Sequence, residues 1–148
     1  MNQVWLIALL KLGLNLGNPQ ETVLPDAGLV VISNDKGAPS EMKMSLLKST
    51  LKGEKQRWPN GTKIIIALMK SNTLIGENTS KKLYNMSANE LNKYWLALVF
   101  QGKADAPNFF NSESDLAAFV GQTQGAIGVI GRESDDVRPV LVDGKKIL

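Results

Sequence analysis

The chain has 148 residues, a net charge of +3, and neither Cys nor His. Its length fits one domain that buries a core without disulfides or metal. The absence of Cys and His excludes thiol catalysis, a Ser/His/Asp triad and the usual zinc sites. The lysines are scattered along the chain, so the mild positive charge suggests attraction to small anions and does not predict nucleic-acid binding. We therefore expect a protein that is not an enzyme and holds no cofactor and no metal.

Residues 1–28 form an N-terminal segment and linker, which we separate from a folded domain at residues 29–148. Residues 4–10 are continuously apolar. This run is too short to span a membrane but resembles the apolar core of a secretory signal peptide, although no Lys or Arg precedes it. Two interpretations stay open: an atypical signal peptide, or a helix that is retained and docks by its apolar face. The turn-rich residues 18–28 predict a linker.

The first half of the domain predicts a strand, a helix and a second strand. Residues 29–32 are apolar, residues 30–32 are β-branched, and a polar loop follows them. The helix is predicted to begin with Ser40 as N-cap and Glu41 in its first turn, and to end at Gly53, where a positive φ is tolerated. Residues 64–68 are continuously apolar, which is typical of a strand covered on both faces. We expect this strand to lie parallel beside the first one, after a right-handed crossover.

The second half carries clear helix signals. Ser87 and Glu90 form a capping box, and Ser112 with Asp115 resembles another. The residues that fall on one face of the helix after Ser87 are Leu91, Tyr94, Trp95, Leu98 and Val99. That apolar stripe predicts a helix packed against the core. A shorter helix is predicted to begin near residues 78–80.

Two further strands complete the predicted sheet of about four strands. Residues 126–130 form an apolar run whose glycines suggest close backbone packing or a nearby ligand. Residues 137–142 predict the last strand, which we place at an edge because Pro139 cannot donate to a neighbouring strand. Helices alternating with buried strands indicate an α/β fold with a mixed, mostly parallel sheet flanked by helices.

The candidate ligand-binding residues lie in polar loops next to the predicted strands. Open α/β sheets bind ligands at the carboxyl ends of their strands. The residues that we select are Asn34, Lys70, Ser71, Asn72, Thr73 and Gly125. Hydroxyls and helix-start amides near residues 78–80 supply donors to an oxyanion, and a lysine supplies charge. The simpler interpretation, which we favour, is a polar loop whose side chains cap the following helix.

Three motifs in order carry a family resemblance. The first is Leu-Lys-Gly at 51–53 followed by Trp-Pro-Asn-Gly at 58–61, the second is Trp95 with Val-Phe-Gln-Gly at 99–102 and Pro107, and the third is Gly-Ala-Ile-Gly at 125–128. Together they resemble the phosphate ABC-transporter substrate-binding proteins, in particular small single-lobe members of the type II periplasmic-binding superfamily. The resemblance covers about residues 29–142.

The resemblance implies an exported, periplasmic α/β lobe that binds a small oxyanion such as phosphate, or acts as an accessory component of a membrane transporter. Full-length phosphate binders usually carry an Arg and a Ser-Gly-Thr turn after the strand that matches residues 64–68. This chain has Lys-Ser-Asn-Thr at 70–73 instead. The alternative is a non-catalytic envelope protein-interaction module that has lost ligand binding.

Overall fold

The computed structural model describes residues 28–148, so the predictions for the N-terminal segment lie outside the described residues. Seven strands and five helical segments follow one another along this part of the chain. The strands are β1 (Val30–Ser33), β2 (Glu41–Met42), β3 (Ile65–Met69), β4 (Asn108–Phe110), β5 (Ala126–Ile130), β6 (Arg138–Pro139) and β7 (Leu141–Val142). The helices are α1 (Met44–Leu51), α2 (Leu74–Thr79), a π-helix (Ser80–Tyr84), α3 (Ala88–Phe100) and α4 (Glu113–Gln122).

The main sheet has five strands in the order β4, β3, β5, β1, β6. β3 pairs in parallel with both β4 and β5, whereas β1 runs antiparallel to both β5 and β6. Four of the five strands therefore point the same way and β1 points the other way. The prediction that β1 lies parallel beside β3 is wrong, because β5 occupies the position between them. β4, for which the sequence predicted no strand, is the edge strand beyond β3.

Side chains alternate along the strands and build a core on each face of the sheet. Ile66 and Leu68 of β3 belong to the larger core, which contains Leu91 and Trp95 of α3. Ala67 of β3 belongs to the smaller core, which is covered by α4. Helices thus cover both faces, which explains why β3 and β5 are continuously apolar. The predicted fold class, an α/β lobe with a mixed and mostly parallel sheet, is confirmed.

Helix α1 begins later than the sequence predicts. Glu41 pairs in β2 with Leu141 of β7, and the helix starts at Met44, so the prediction of Ser40 as N-cap is wrong. The predicted end is confirmed, since Gly53 follows the helix with a φ of +77°. Two tyrosine side chains hydrogen-bond to the last carbonyl groups at this helix end. The Tyr84 hydroxyl donates to the Leu51 carbonyl oxygen at 2.6 Å, and the Tyr94 hydroxyl donates to the Lys52 carbonyl oxygen at 2.7 Å.

Helix α3 has the predicted start but a more exposed end. The Ser87 hydroxyl accepts from the Glu90 amide and the Glu90 carboxylate accepts from the Ser87 amide, both at 3.2 Å, which confirms the capping box. Val99, predicted on the buried stripe, is 44% exposed. Leu98 in the same turn still packs against the larger core, so the buried face of the helix is narrower than the sequence predicts. No helix within residues 28–148 is long and apolar enough to cross a membrane.

The last predicted strand is divided in two by a change of partner. β6, which contains Pro139, pairs with β1 at the edge of the main sheet, as the proline predicted. β7 leaves that sheet and pairs in parallel with β2. The turn after β7 is made by Asp143 and Gly144, both with positive φ.

Candidate ligand-binding site

The sheet has two ends, which we name by the direction of β3 and β5. The carboxyl edge contains the loop after β3 (residues 70–73), the start of α4 and the loop after β5 (residues 131–136). The amino edge contains the loop after β1 (residues 34–37) and the residues that lead into β3 and β5. From β3 the chain proceeds to β4 on one side and then returns to β5 on the other. Such a switch point opens a crevice at the carboxyl ends of these strands.

The six candidate residues are divided between the two edges. Lys70, Ser71, Asn72 and Thr73 lie at the carboxyl edge. Asn34 lies at the amino edge, where its backbone N–H donates to the carbonyl oxygen of Ala126, the first residue of β5. Gly125 immediately precedes that residue. The expectation that these residues line one crevice is wrong, because β1 is antiparallel to β5 and its end therefore meets the start of β5.

Asn34 acts as a structural connector at the amino edge. Its side-chain amide donates to the carbonyl oxygens of Val120 and Gly121 at 2.8 and 3.1 Å, at the end of α4. Its side-chain oxygen accepts from the Lys36 amide at 2.8 Å. The residue is only 5% exposed. These three bonds occupy the side chain, so they favour the interpretation that Asn34 holds a turn and a helix end.

Gly125 has a similar structural role. Its φ is +80°, and a Cβ at this position would overlap the carbonyl oxygen of Lys63. Its own carbonyl oxygen accepts the indole N–H of the buried Trp58 at 2.8 Å. This bond fixes the Trp58 side chain against the start of β5. Only glycine combines this φ with so close a backbone approach.

The loop at residues 70–73 is held against β4 and α2 by its backbone. The Lys70 amide donates to the Phe110 carbonyl oxygen at 2.9 Å. The Thr73 hydroxyl donates to the Lys70 carbonyl oxygen at 2.7 Å and accepts from the Gly76 amide at 3.0 Å. Thr73 is therefore the N-cap of α2, and the prediction that a helix begins near residues 78–80 is wrong. Those residues lie inside the helical segment.

The remaining side chains of this loop have free donors. Within residues 28–148, the side chains of Lys70, Ser71 and Asn72 make no hydrogen bond or ion pair. Lys70 and Asn72 are exposed and Ser71 is half-buried. The capping interpretation thus holds for Thr73, whereas an ammonium, a hydroxyl and an amide next to it stay available to a ligand.

Three residues at the carboxyl edge were not selected from the sequence. A carboxylate oxygen of Glu113 accepts the Gly131 amide at 2.6 Å, which joins the start of α4 to the end of β5. A Cβ at Gly131 would overlap Ile75 of α2, so the two elements meet closely. Arg132 follows on the surface and lines a cavity of about 290 Å³ together with Glu113. Its position directly after a buried strand was a usable signal in the sequence.

The charge of the carboxyl edge is mixed. Lys70 and Arg132 are cationic, while Glu113 and Glu133 are anionic, and all four lie in or next to the loops of this edge. The electrostatic potentials of neighbouring opposite charges partly cancel, and solvent screens what remains, so an approaching ion is attracted only weakly. The arrangement can bind a small anion through local donors but lacks a strongly positive field.

No protein-family model matches the chain, and no curated protein matches it in sequence. Solved structures do match. An ABC-type phosphate transport receptor from Vibrio cholerae superposes with a TM-score of 0.59 and 16% identity over 80% of this chain and 47% of its own. The chain has a periplasmic-binding-protein-like fold. It is also similar to a phosphate ABC-transporter substrate-binding protein from Clostridium perfringens, solved with bound phosphate, with a TM-score of 0.60 and 15% identity over 82% of this chain and 48% of that chain.

A third match is PstS from Borrelia burgdorferi, with a TM-score of 0.52 and 19% identity over 70% of this chain and 40% of that one. This chain spans less than half the length of each of the three structures. The predicted resemblance to phosphate ABC-transporter substrate-binding proteins is therefore confirmed at the level of the fold.

Proposed function

We propose that this protein binds a small oxyanion of the phosphate or sulfate class at the carboxyl edge of its sheet, as a solute-binding-like or accessory component of a transport system. The observation that carries the proposal is the combination of a lobe similar to phosphate receptors with free donors at residues 70–72, directly after β3. Binding at the carboxyl ends of strands is the usual arrangement in such sheets. An exported, periplasmic location belongs to the same proposal.

The proposed contacts come from three side chains. Lys70 supplies charge, and Ser71 and Asn72 supply a hydroxyl and an amide donor. Arg132 adds a second cation from the loop after β5. The nearby carboxylates of Glu113 and Glu133 oppose an anion, so we expect weak binding. We propose binding without chemistry, and the absence of Cys and His excludes thiol catalysis and a Ser/His/Asp triad.

Calorimetric titration of the full chain with phosphate and with sulfate tests this function. We expect saturable binding that is weakened by Lys70→Gln and by Ser71→Ala. Lys36→Gln is the matched control, because it removes one exposed cation from the amino edge. Absence of heat with both anions, or equal weakening by Lys70→Gln and Lys36→Gln, would show that the carboxyl edge is not a specific anion site.

The second candidate function is an envelope protein-interaction module, and the exposed end of α3 favours it. Leu96, Val99 and Phe100 are 68%, 44% and 89% exposed. Exposed apolar residues grouped in this way commonly mark an interaction surface. Capture of a membrane-fraction partner that is lost in Leu96→Ser/Phe100→Ser, together with silence in the anion titration, would select this function over the first.

A further inference from the structure

Helix α3 carries a second apolar face in its last turns, and this face points into solvent. Leu96, Val99 and Phe100 are spaced at i, i+3 and i+4, so they share one side of the helix. Leu91 and Trp95 are buried on the side that meets the core. Phe100, at the very end of the helix, is 89% exposed. An apolar face left in water in this way gains free energy when apolar surroundings cover it.

The turn that follows this face protrudes from the protein. The backbone amides of Gly102 and Lys103 donate to the carbonyl oxygens of Val99 and Leu98 at 3.0 and 2.9 Å, which fixes the turn to the helix end. A Cβ at Gly102 would meet no atom within 4 Å, so the turn is open to solvent. Phe100 and the turn therefore form a protruding tip, which suits a surface that yields around it.

Two lysines flank the apolar face. Lys93 precedes Leu96 by three residues and lies on the same side of α3, while Lys103 follows the end of the helix. Both residues are exposed. Within residues 28–148, neither ammonium group makes a hydrogen bond or an ion pair. The positive charge at both ends of the face is therefore not neutralised by that part of the chain.

The adjoining segment at residues 52–56 adds to this charge. It is fixed beside the end of α3, because the side-chain amide of Gln56 donates to the Lys103 carbonyl oxygen at 3.1 Å. The segment contains two lysines and one glutamate. Asp105, which follows the turn, is paired with Lys63 at 2.7 Å. The apolar face is thus bordered by an excess of cations, which complements an anionic surface.

We propose that the exposed end of α3 docks on an anionic lipid surface. Leu96, Val99 and Phe100 enter the boundary between headgroups and acyl chains, and the surrounding lysines lie among the anionic headgroups. The binding is weak and reversible, because it rests on a few side chains. The inference goes beyond the anion binding proposed above and does not depend on it.

The size of the face favours lipid over a protein partner. Even a large aromatic side chain buries only about 150–250 Å². Three side chains therefore supply less than the roughly 800 Å² that each partner buries in a stable protein interface. A bilayer requires no matching surface of that size, because a few inserted apolar groups act together with the attraction between lysines and headgroups.

Flotation of the full chain with vesicles of phosphatidylglycerol and phosphatidylcholine tests the docking. We expect binding that is weakened at least about tenfold by Leu96→Ser/Phe100→Ser and about 10–30-fold by Lys93→Gln/Lys103→Gln. Ile147→Ser is the control for the first change, because it truncates an exposed aliphatic residue elsewhere. Lys36→Gln/Lys145→Gln is the control for the second, because it removes two exposed cations elsewhere. All variants keep the same N-terminal residues, so differences between them report on α3.

A tryptophan at the tip locates the contact. Phe100→Trp should show a blue shift of its fluorescence on addition of the anionic vesicles, larger than that of the natural chain, because the new indole leaves water. Equal vesicle binding by the natural chain and both α3 variants, with no such shift, would overturn the proposal. Absence of vesicle binding together with a protein partner held through Leu96 and Phe100 would also contradict it and would favour the second candidate function.

One further variant separates this docking from the proposed anion site. Lys70→Gln should weaken phosphate binding while reducing vesicle binding no more than Lys36→Gln does. A large loss of vesicle binding in Lys70→Gln would show that the carboxyl edge, and not the end of α3, holds the lipid headgroups.

Discussion

The hydroxyl of Tyr84 offers a measurable test of how α1 is held in the core. This hydroxyl donates to the Leu51 carbonyl oxygen at 2.6 Å. Tyr84 is 1% exposed and Leu51 is 0% exposed, so water does not replace the lost donor easily. The last carbonyls of a helix have no partner within the helix. Tyr84→Phe therefore leaves a buried acceptor unsatisfied, which costs about 1–3 kcal/mol of unfolding free energy.

The natural control for this change is Tyr94→Phe. The Tyr94 hydroxyl makes the same kind of bond, to the next carbonyl oxygen, that of Lys52, at 2.7 Å. Tyr94 is only half-buried, so water can serve the freed carbonyl and the loss should stay below about 1 kcal/mol.

Urea unfolding followed by circular dichroism measures both losses. We also expect the thermal midpoint to fall by about 4–12 °C for Tyr84→Phe and by less for Tyr94→Phe. Equal losses in the two variants would refute the reasoning that burial sets the cost of the missing bond. An unchanged midpoint in Tyr84→Phe would refute the buried bond itself.

Three further expectations follow from single residues. Burial raises the pKa of the Tyr84 hydroxyl above its ordinary value of 10.0. The unfolded chain therefore loses the hydroxyl proton at a lower pH than the folded protein, and the free energy of unfolding should fall as the pH rises above 10. Urea midpoints measured from pH 9 to 11 should fall less steeply in Tyr84→Phe. Gly53→Ala should lower the free energy of unfolding by about 1–2 kcal/mol, because alanine is strained at a φ of +77° and its Cβ would lie 3.0 Å from the Trp95 ring. Urea unfolding measures this loss. Ala104→Gly changes a methyl group that faces the same position without changing the backbone of residue 53, so an equal loss in that variant would argue against backbone strain. Ser87→Ala should cost about 1 kcal/mol by removing the N-cap of α3, and Ser87→Asp should restore most of it; failure of this rescue would contradict the capping role.

Local signals in the sequence predicted most helices and strands. The capping box at Ser87, the N-cap at Ser112 and the glycine stop at Gly53 depend on groups within a few residues of each other, so a short stretch specifies them. The apolar runs of β3 and β5 predicted burial on both faces, and the structure places helices there. The resemblance to one lobe of a phosphate receptor rested on ordered short motifs and is confirmed by the fold.

The sequence did not determine where each element begins in every case. Ser40 and Glu41 fit the start of a helix, but pairing of β2 with the distant β7 keeps that segment extended. Thr73 caps α2, and the equally suitable residues 78–80 lie within the helical segment, where Gly76 approaches the Lys70 carbonyl oxygen too closely for any larger residue. At Ser40 a contact between distant residues selected among several local possibilities, whereas at Thr73 the choice lay between two local caps.

Strand order and direction were decided by the tertiary structure alone. Val30 of β1 pairs with Ile130 of β5 in an antiparallel arrangement. The apolar pattern of a fully buried strand is the same in either direction, so it contains no information on orientation. That single reversal moves Asn34 away from Ser71 to the opposite edge of the sheet. The sequence by itself determined which loops are polar and follow buried strands, and the folded sheet determined which of those loops meet, because that depends on backbone pairing between distant residues.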